Sequence, residues 1–289
     1  MEFPQNYFCA EVRDDFEIPA MMKRAWAAEL EVLSVIADVC ERYHLQYFAD
    51  YGTLLGAVRH KGFIPWDDDV DVLMPREDYE RLLSLGERAL DGDHCLVSYR
   101  NSPFPFSFTK LCDNRVRVLT EAYEDLAEES LWLDIFTLDS APDDDRKLER
   151  LWRKKNILQT IAFAQTRKST SWKSRAVKSV IAFLTKPFLP AKTCMEKIDS
   201  LRSKSAWTDG TRVVPFNTCS FVMKWSLYDR EQYDETSDVL MRGRRFPAPK
   251  DPHVVLSRCY GDYMQLPPQS QRVSHGLKAW MAMDVEDGV

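Results

Sequence analysis

Apolar residues recur every three or four positions between residues 20 and 44, and this spacing predicts one long helix with a buried stripe. Leu45–Ala49 then predicts a strand that runs into a Gly52-Thr53 turn, and Thr53–Arg59 is typical of a short helix. A second apolar run, Val70–Met74, predicts the next strand. The stripe of the long helix consists of Trp26, Leu30, Leu33, Ala37 and Cys40.

Further elements follow in short succession. Pro75 is expected to open a helix that extends to about Leu90, because proline is well tolerated in a first helical turn. Trp132–Phe136 has the composition of a buried strand, Ala141–Asp145 predicts a turn, and Arg146–Ala164 predicts a helix with one basic side. Shorter strands are predicted at Cys95–Tyr99, Thr109–Cys112 and Arg115–Thr120.

The order of these elements indicates the fold class. Helices and strands alternate at first, and several later strands lie close together in the chain, which favours an α+β fold with a mixed sheet. The length of 289 residues fits a single domain spanning residues 1–289. Within it we expect a core at 20–145, a helical and partly basic segment at 146–210, and a C-terminal part at 211–289 that completes the site.

Charge and cysteine content exclude several classes of protein. The net charge of −6 gives no support to nucleic-acid binding. Seven scattered cysteines without a CxxC pair argue against a zinc ribbon or a disulfide scaffold, and the odd number fits a reducing compartment. The N-terminal residues lack a signal-peptide pattern, and no run of 18 apolar residues occurs. We therefore expect a cytoplasmic protein.

The most distinctive feature is a group of four aspartates within the five positions from Asp67 to Asp71. Like charges this close raise each other's pKa unless a cation lies among them. On a strand, Asp69 and Asp71 would point to the same side, because side chains alternate. A solvated acidic turn is the alternative, but the apolar flanks argue for burial, and buried carboxylates need a partner or a metal. We predict that Asp69 and Asp71 bind Mg²⁺ or Mn²⁺.

Asp134 is the third candidate acid because it lies inside the apolar run Trp132–Phe136. A neighbouring strand could bring it beside Asp69 and Asp71, where it would bind metal or accept the proton of an attacking hydroxyl. The alternative is an acid at a strand end that is bound to backbone amides. Asp69, Asp71 and Asp134 are thus the predicted catalytic and metal-binding residues, and Asp139 is assigned to the following turn.

Phosphate groups of a substrate would require backbone N–H groups or positive side chains. The turn at Gly52 and Thr53 supplies the former, and Arg59 is the first choice for the latter. Lys110 is the second choice, although it could equally be a surface charge. Two further candidates near the C-terminus are weaker, because a single histidine is more often structural than catalytic. These are Arg272 and His275.

Four aromatic residues could form a wall that binds a quaternary ammonium group by cation–π attraction. Ordinary core packing is the more common role for any one of them. The four are Tyr51, Trp66, Trp132 and Tyr260.

Residues 172–192 combine basic side chains with a run of apolar ones. This composition suits a peripheral contact with an anionic membrane surface, at the inner face of the membrane, and it equally suits a core helix with a solvated basic face. The sequence leaves both interpretations open. The basic residues are Lys173, Arg175, Lys178, Lys186 and Lys192.

Three blocks of the chain resemble the LicD family, which includes bacterial phosphorylcholine transferases and is related to the fukutin group. The first block joins Gly52–Arg59 to Gly62–Asp71 and continues through Met74–Tyr79. The second is Leu133–Asp139, and the third consists of Tyr260–Met264 with Leu266–Pro268 and His275. The resemblance implies a nucleotidyltransferase-like fold, in which a Gly-Ser or Gly-Thr turn precedes a strand with two acids and a neighbouring strand carries a third.

The resemblance also implies a function. The donor would be CDP-linked, such as CDP-choline or a CDP-polyol, and the acceptor a sugar hydroxyl on a cell-surface glycan, such as teichoic acid or lipopolysaccharide, or on its lipid-linked precursor. We therefore expect metal-dependent transfer of phosphocholine or a phospho-polyol with release of CMP. The alternatives are a nucleotidyltransferase that moves NMP from an NTP to a small acceptor, and a catalytically inactive module that binds glycans or nucleotides.

Overall fold

The computed structural model describes residues 3–120, 127–167, 171–201, 210–218, 223, 226–274 and 278–281. These residues form helices around a mixed β-sheet, which confirms the predicted α+β class. Among the described helices, none has the length and apolar composition needed to cross a bilayer. The helices are α1 (Ala20–Tyr43), α2 (Tyr51–Leu55), α3 (Arg76–Leu85), α4 (Asp145–Thr166), α5 (Trp172–Thr185), α6 (Ala191–Asp199), α7 (Glu231–Asp234) and α8 (Pro252–Tyr260).

The strands belong to one large sheet and two small hairpins. They are β1 (Glu11–Arg13), β2 (Phe16–Ile18), β3 (Phe48–Ala49), β4 (Asp71–Pro75), β5 (His94–Val97), β6 (Thr109–Thr120), β7 (Ala127–Ala141), β8 (Arg212–Val214), β9 (Tyr228–Asp229), β10 (Thr236–Met241), β11 (Arg244–Pro249) and β12 (Lys278–Met281). The large sheet has the order β12-β6-β7-β4-β3, with β5 paired to β6 and β8 paired to β7. Strands β4 and β7 run parallel, and the other pairs of this sheet are antiparallel.

Several predicted boundaries are corrected. Thr109–Cys112 and Arg115–Thr120 are parts of one strand, β6, whose register shifts after Asp113 at a bulge. Pro75 does not open a helix but ends β4 in an extended conformation, and α3 begins at the next residue. Only the last two residues of Leu45–Ala49 pair in the sheet, as β3.

Helix α1 covers one face of the sheet, and its apolar stripe explains why. Trp26, Leu30 and Leu33 are almost completely buried, and α1 packs against β6, β7 and β12. Trp26 also stacks on Phe63, with 5.1 Å between ring centroids, and its indole N–H donates to the backbone carbonyl of Asp67 at 2.8 Å. The hydrophobic core therefore fixes the position of the acidic segment directly.

Strand β7 divides its side chains between two faces of the sheet. Leu133 and Ile135 are fully buried, whereas Trp132 and Asp134 are partly exposed on the opposite face. Because side chains alternate along β7, Asp134 lies on the face of the sheet opposite to Leu133 and Ile135.

Candidate active site

The centre of the candidate site is a pair of carboxylates on two adjacent strands. Asp71 of β4 is the register partner of Asp134 of β7, and the strands are parallel. The N–H of Asp134 donates to the carbonyl of Val70 at 2.9 Å, which fixes the pairing where β4 begins. Because registered side chains on neighbouring strands point to the same face, the two carboxylates share one side of the sheet. The predicted approach of Asp134 to Asp71 is found in the structure.

The electrostatics of this pair are those of crowded acids. Burial raises the pKa of Asp71 well above its usual range, and the charges of Asp69 and Asp134 raise it further. Burial also raises the pKa of Asp134 to about 7; Asp69 adds to that increase, whereas Lys110 opposes it. Both carboxyl groups therefore retain protons easily unless a cation offsets their charge.

The residues present fit a divalent ion. The Oδ1 atom of Asp134 is buried without a hydrogen-bond partner. Within the described part of the chain, no three or more His, Cys, Asp or Glu side chains are close enough to form a metal site on their own. Mg²⁺ is commonly held by one or two carboxylates, with waters and substrate phosphates completing its shell. Asp71 and Asp134 match such a two-carboxylate site.

Asp69 is placed differently from the prediction. Strand β4 begins at Asp71, so Asp69 lies in the preceding loop, and the argument from strand alternation is wrong for it. Its charge nevertheless raises the pKa of both Asp71 and Asp134. A role for Asp69 as a metal ligand stays a prediction.

The turn at Gly52 contacts the acidic segment at two residues, Asp67 and Asp71. The hydroxyl oxygen of Thr53 accepts a hydrogen bond from the N–H of Asp71 at 2.8 Å. Tyr51, with φ of 50°, has the left-handed conformation that non-glycine residues rarely adopt. A Cβ atom on Gly52 would overlap Oδ2 of Asp67, so the Asp67 carboxylate lies directly against this glycine. A side chain at Gly52 would therefore displace the carboxylate of Asp67.

Sequence reasoning missed Asp50, which is 1% exposed. Its Oδ1 accepts from the N–H of Tyr51 at 2.6 Å and caps α2, and its Oδ2 accepts from the hydroxyl of Tyr233 at 2.5 Å. Burial raises the pKa of Asp50 to about 6, although both hydrogen bonds oppose the increase. The available signal was an aspartate directly before a helix start, a preferred capping position.

Glu29 was also missed. It is 1% exposed on α1, and its Oε2 atom has no hydrogen-bond partner. Burial raises its pKa well above the usual range, and the charges of Asp67, Asp68 and Asp69 contribute. The available signal was an acid at a position that falls among the buried residues of an amphipathic helix.

Lys110 is a buried residue of the site and not a surface charge. It is 4% exposed and is the register partner of Asp134 on β6. Its Nζ lies 3.4 Å from the ring centroid of Trp132 and 3.6 Å from a carboxylate oxygen of Glu129. The aromatic face and the two acids account for a buried ammonium group at this position.

Arg59 and Arg272 are far apart in the chain, but both lie beside the ring of Trp66 in the structure. Their guanidinium carbons lie 5.9 and 5.3 Å from the ring centroid of Trp66. Arg59 donates to the carbonyl of Tyr263 at 2.7 Å, and Arg272 to that of Pro267 at 2.9 Å. The two predicted phosphate-binding arginines therefore form one basic pair. His275 lies outside the described residues.

The four aromatic candidates have different surroundings, and one of them, Tyr260, is 45% exposed at the end of α8. Tyr51 packs edge-on against Phe136, Trp132 lies beneath Lys110, and Trp66 lies beneath the arginine pair. A shared ammonium-binding wall stays a prediction.

The candidate site thus combines two carboxylates on adjacent strands, a glycine turn that positions one of them and a buried lysine that is the register partner of the other. Residues 44–156, which contain this site, match the family model described as LicD/FKTN/FKRP, nucleotidyltransferase domain. This match confirms the resemblance to the LicD family.

Two relatives extend the comparison. The lipopolysaccharide cholinephosphotransferase LicD of Haemophilus influenzae is 26% identical over 263 residues, which cover 86% of this chain and 93% of that protein. An uncharacterized protein of Rickettsia typhi is 31% identical over 117 residues, which cover 36% of this chain and 38% of that protein. The similarity to the first relative thus extends well beyond the matched domain.

Proposed function

We propose that this chain is a metal-dependent transferase that moves phosphocholine, or a related group such as a phospho-polyol, from a CDP-linked donor to a sugar hydroxyl. The acceptor would be a cell-surface glycan or its lipid-linked precursor, and CMP would be released. The observation that carries the proposal is the Asp71–Asp134 pair beside the buried Lys110. Similarity over 93% of a protein named lipopolysaccharide cholinephosphotransferase supports the choice of group and acceptor.

Asp71 and Asp134 would hold the ion, Mg²⁺ or Mn²⁺. When bound, the ion supplies positive charge that offsets the charge of the donor's diphosphate. Lys110 adds a fixed positive charge on the same face, because it is the register partner of Asp134. The hydrogen bond from Asp71 to Thr53 keeps the first residue of β4 in place against the turn.

The transfer exchanges one phosphorus–oxygen bond for another. The sugar hydroxyl oxygen forms a bond to the phosphorus that bears choline, and the bond from this phosphorus to the oxygen shared with CMP breaks. CMP leaves with the electron pair of that bond. The hydroxyl proton would pass to a base of the site that does not hold the ion, or to water.

The experiment compares donors. The protein is incubated with Mg²⁺, an acceptor glycan and either CDP-choline, a CDP-polyol, CTP or ATP, and released nucleotides are identified by chromatography. We expect CMP from a CDP-linked donor, and loss of product with EDTA or with Asp134→Asn. Asp238→Asn, an exposed acid on β10, is the matched control and should retain full turnover.

Other products would favour the alternatives. Pyrophosphate from an NTP would indicate a nucleotidyltransferase that moves NMP. Binding of CDP-choline without turnover, at any metal concentration, would indicate an inactive binding module. Unchanged CMP release by Asp134→Asn would contradict the proposed role of the carboxylate pair.

A further inference from the structure

Helix α5 exposes its apolar side to solvent. No residue of this helix is buried. Its large apolar residues instead have high exposed fractions. Soluble proteins rarely expose large contiguous apolar patches, and such patches mark interaction sites. The exposed fractions are 69% for Trp172, 60% for Val177, 58% for Val180, 81% for Phe183, 62% for Leu184 and, just after the helix, 87% for Phe188.

The opposite side of α5 faces the rest of the protein and mixes polar and apolar residues, which are the half-buried Ser174, Lys178, Ile181, Ala182 and Thr185. The Nζ of Lys178 donates to the carbonyl of Arg167 at 3.3 Å. The amide nitrogen of Gln165 donates to the hydroxyl of Thr185 at 3.0 Å and to the carbonyl of Leu189 at 3.0 Å. Most of the large apolar residues of α5 are therefore on its solvent side, whereas the apolar stripe of a surface helix in a globular protein usually faces the core.

The charge of this segment is opposite to that of the chain. Residues 172–192 contain five basic residues and no acidic one, although the whole chain has a net charge of −6. A second copy of the chain on this surface would bring two such basic segments together, and like charges across an interface are costly. An anionic lipid surface is complementary both to the basic side chains and to the apolar ones.

We infer that α5 and the following turn through Phe188 dock the protein on an anionic bilayer, with the helix lying in the plane of the interface. The apolar side would enter the boundary between headgroups and acyl chains, with Phe183 and Leu184 near its centre. Lys173, Arg175 and Lys186 would contact the headgroups, since long basic side chains extend from an apolar surface to charged groups. At 14 residues, α5 is too short to span the bilayer. The inference is independent of the proposed transferase activity.

Vesicle flotation of the full-length protein tests this inference. The vesicles contain either phosphatidylcholine alone or phosphatidylcholine with about 30% phosphatidylglycerol, the anionic fraction being chosen to give a clear surface potential. We expect binding to the anionic vesicles, and its loss as NaCl is raised, because salt screens the headgroup attraction. Phe183→Ser with Phe188→Ser should weaken binding about tenfold or more, from lost apolar burial. Lys173→Glu with Arg175→Glu should also weaken it.

Matched control variants distinguish vesicle binding through α5 from nonspecific adsorption. Leu240→Ser removes another apolar side chain, 52% exposed, and Arg245→Glu reverses another exposed charge, both outside α5. These variants should bind anionic vesicles like the wild type, and circular dichroism should show that every variant is folded.

Three results would overturn the inference. The first is equal binding of the wild type to neutral and anionic vesicles. The second is a loss of vesicle binding in the control variants that equals the loss in the α5 variants. The third is wild-type protein that forms a dimer in sedimentation, binds no vesicles and becomes monomeric with Phe183→Ser, since a second copy would then cover the surface.

Discussion

Asp71 and Asp134 are direct register partners across a parallel strand pair, although they lie far apart in the chain. The connection between their strands passes through α3, β5 and β6, so their proximity depends on the whole sheet and not on a local turn. Backbone pairing holds two like charges on one face, where the charge of Asp134 raises the pKa of Asp71. A cation is the ordinary means of stabilising such an arrangement.

Divalent ions should therefore stabilise this protein through the carboxylate pair. Adding Mg²⁺ or Mn²⁺ is expected to raise the melting temperature of the wild type, because a ligand that binds the folded state shifts the unfolding equilibrium. The increase should be lost in Asp71→Asn and Asp134→Asn and kept in Asp238→Asn. Without metal, the first two variants should be at least as stable as the wild type, because a repulsion is removed. Equal metal-induced shifts in all four proteins, measured by calorimetry, would contradict a metal site at this pair.

Lys110 should control the ionisation of its register partner. Lys110→Met removes the positive charge that lowers the pKa of Asp134, so the acidic limb of the pH–rate profile should move to higher pH. Turnover should fall about a hundredfold to a thousandfold, the range found when one preorganised electrostatic donor is removed. Lys23→Met is the matched control, because Lys23 is also buried and pairs with Glu11 at 2.7 Å on another part of the fold. A shifted pH profile in the control would show that the effect is not specific.

Two glycines of the same segment should respond differently to alanine. The Cβ of Gly52→Ala would displace the side-chain end of Asp67, so activity should fall more than stability. The Cβ of Gly56→Ala would lie 2.5 Å from the backbone oxygen of Gly62 and 3.3 Å from the nitrogen of Ile64, which cannot move without shifting the chain. We expect the second variant to lose folding stability first, as measured by urea denaturation. The opposite order would mean that Asp67 has no role at the turn.

Asp50 should make stability depend on pH in a defined direction. Its pKa is about 6 in the folded protein and 3.8 when unperturbed, so between these values the folded state binds more protons than the unfolded state. The free energy of unfolding should therefore fall as pH rises from about 4 to about 6, with a contribution of about 3 kcal/mol from this residue. Asp50→Asn keeps an acceptor oxygen but cannot titrate, so its urea-denaturation profile should be flatter in this window. A profile parallel to that of the wild type would contradict the assignment.

The elements with the clearest periodicity were predicted well. The long stripe of α1 and the apolar run around Asp134 each carry a signal within one segment, and burial of an acid in such a run correctly indicated that it meets other groups. The start of β4 could not be predicted in the same way. It depends on the bond from Asp134 to the carbonyl of Val70, which forms only when the two strands are already paired.

The partners of buried charges were the main features that the sequence could not reveal. Lys110 and Asp50 are buried beside groups from other segments, Trp132 and Glu129 for Lys110 and Tyr233 for Asp50. Asp139 was assigned to a turn, but it is a buried residue of β7 that forms a paired hydrogen bond with the guanidinium of Arg76. Charge partners at this sequence separation are fixed by tertiary structure and not by local pattern.

Arg76 should be the ionic residue whose loss destabilises the fold most clearly. It donates two hydrogen bonds of 2.8 Å to Asp139 of β7 and one of 2.6 Å to Asp199 at the end of α6, and so joins three elements. Arg76→Ala leaves Asp139, 2% exposed, without its charged partner, and breaking a buried ion pair costs about 3–5 kcal/mol. Arg81→Ala is the matched control: its side chain is 55% exposed and pairs with Asp78 at 3.0 Å, so its loss should cost less than about 1 kcal/mol. Urea denaturation of both variants measures the difference, and similar costs would mean that solvent replaces the lost partner at Asp139.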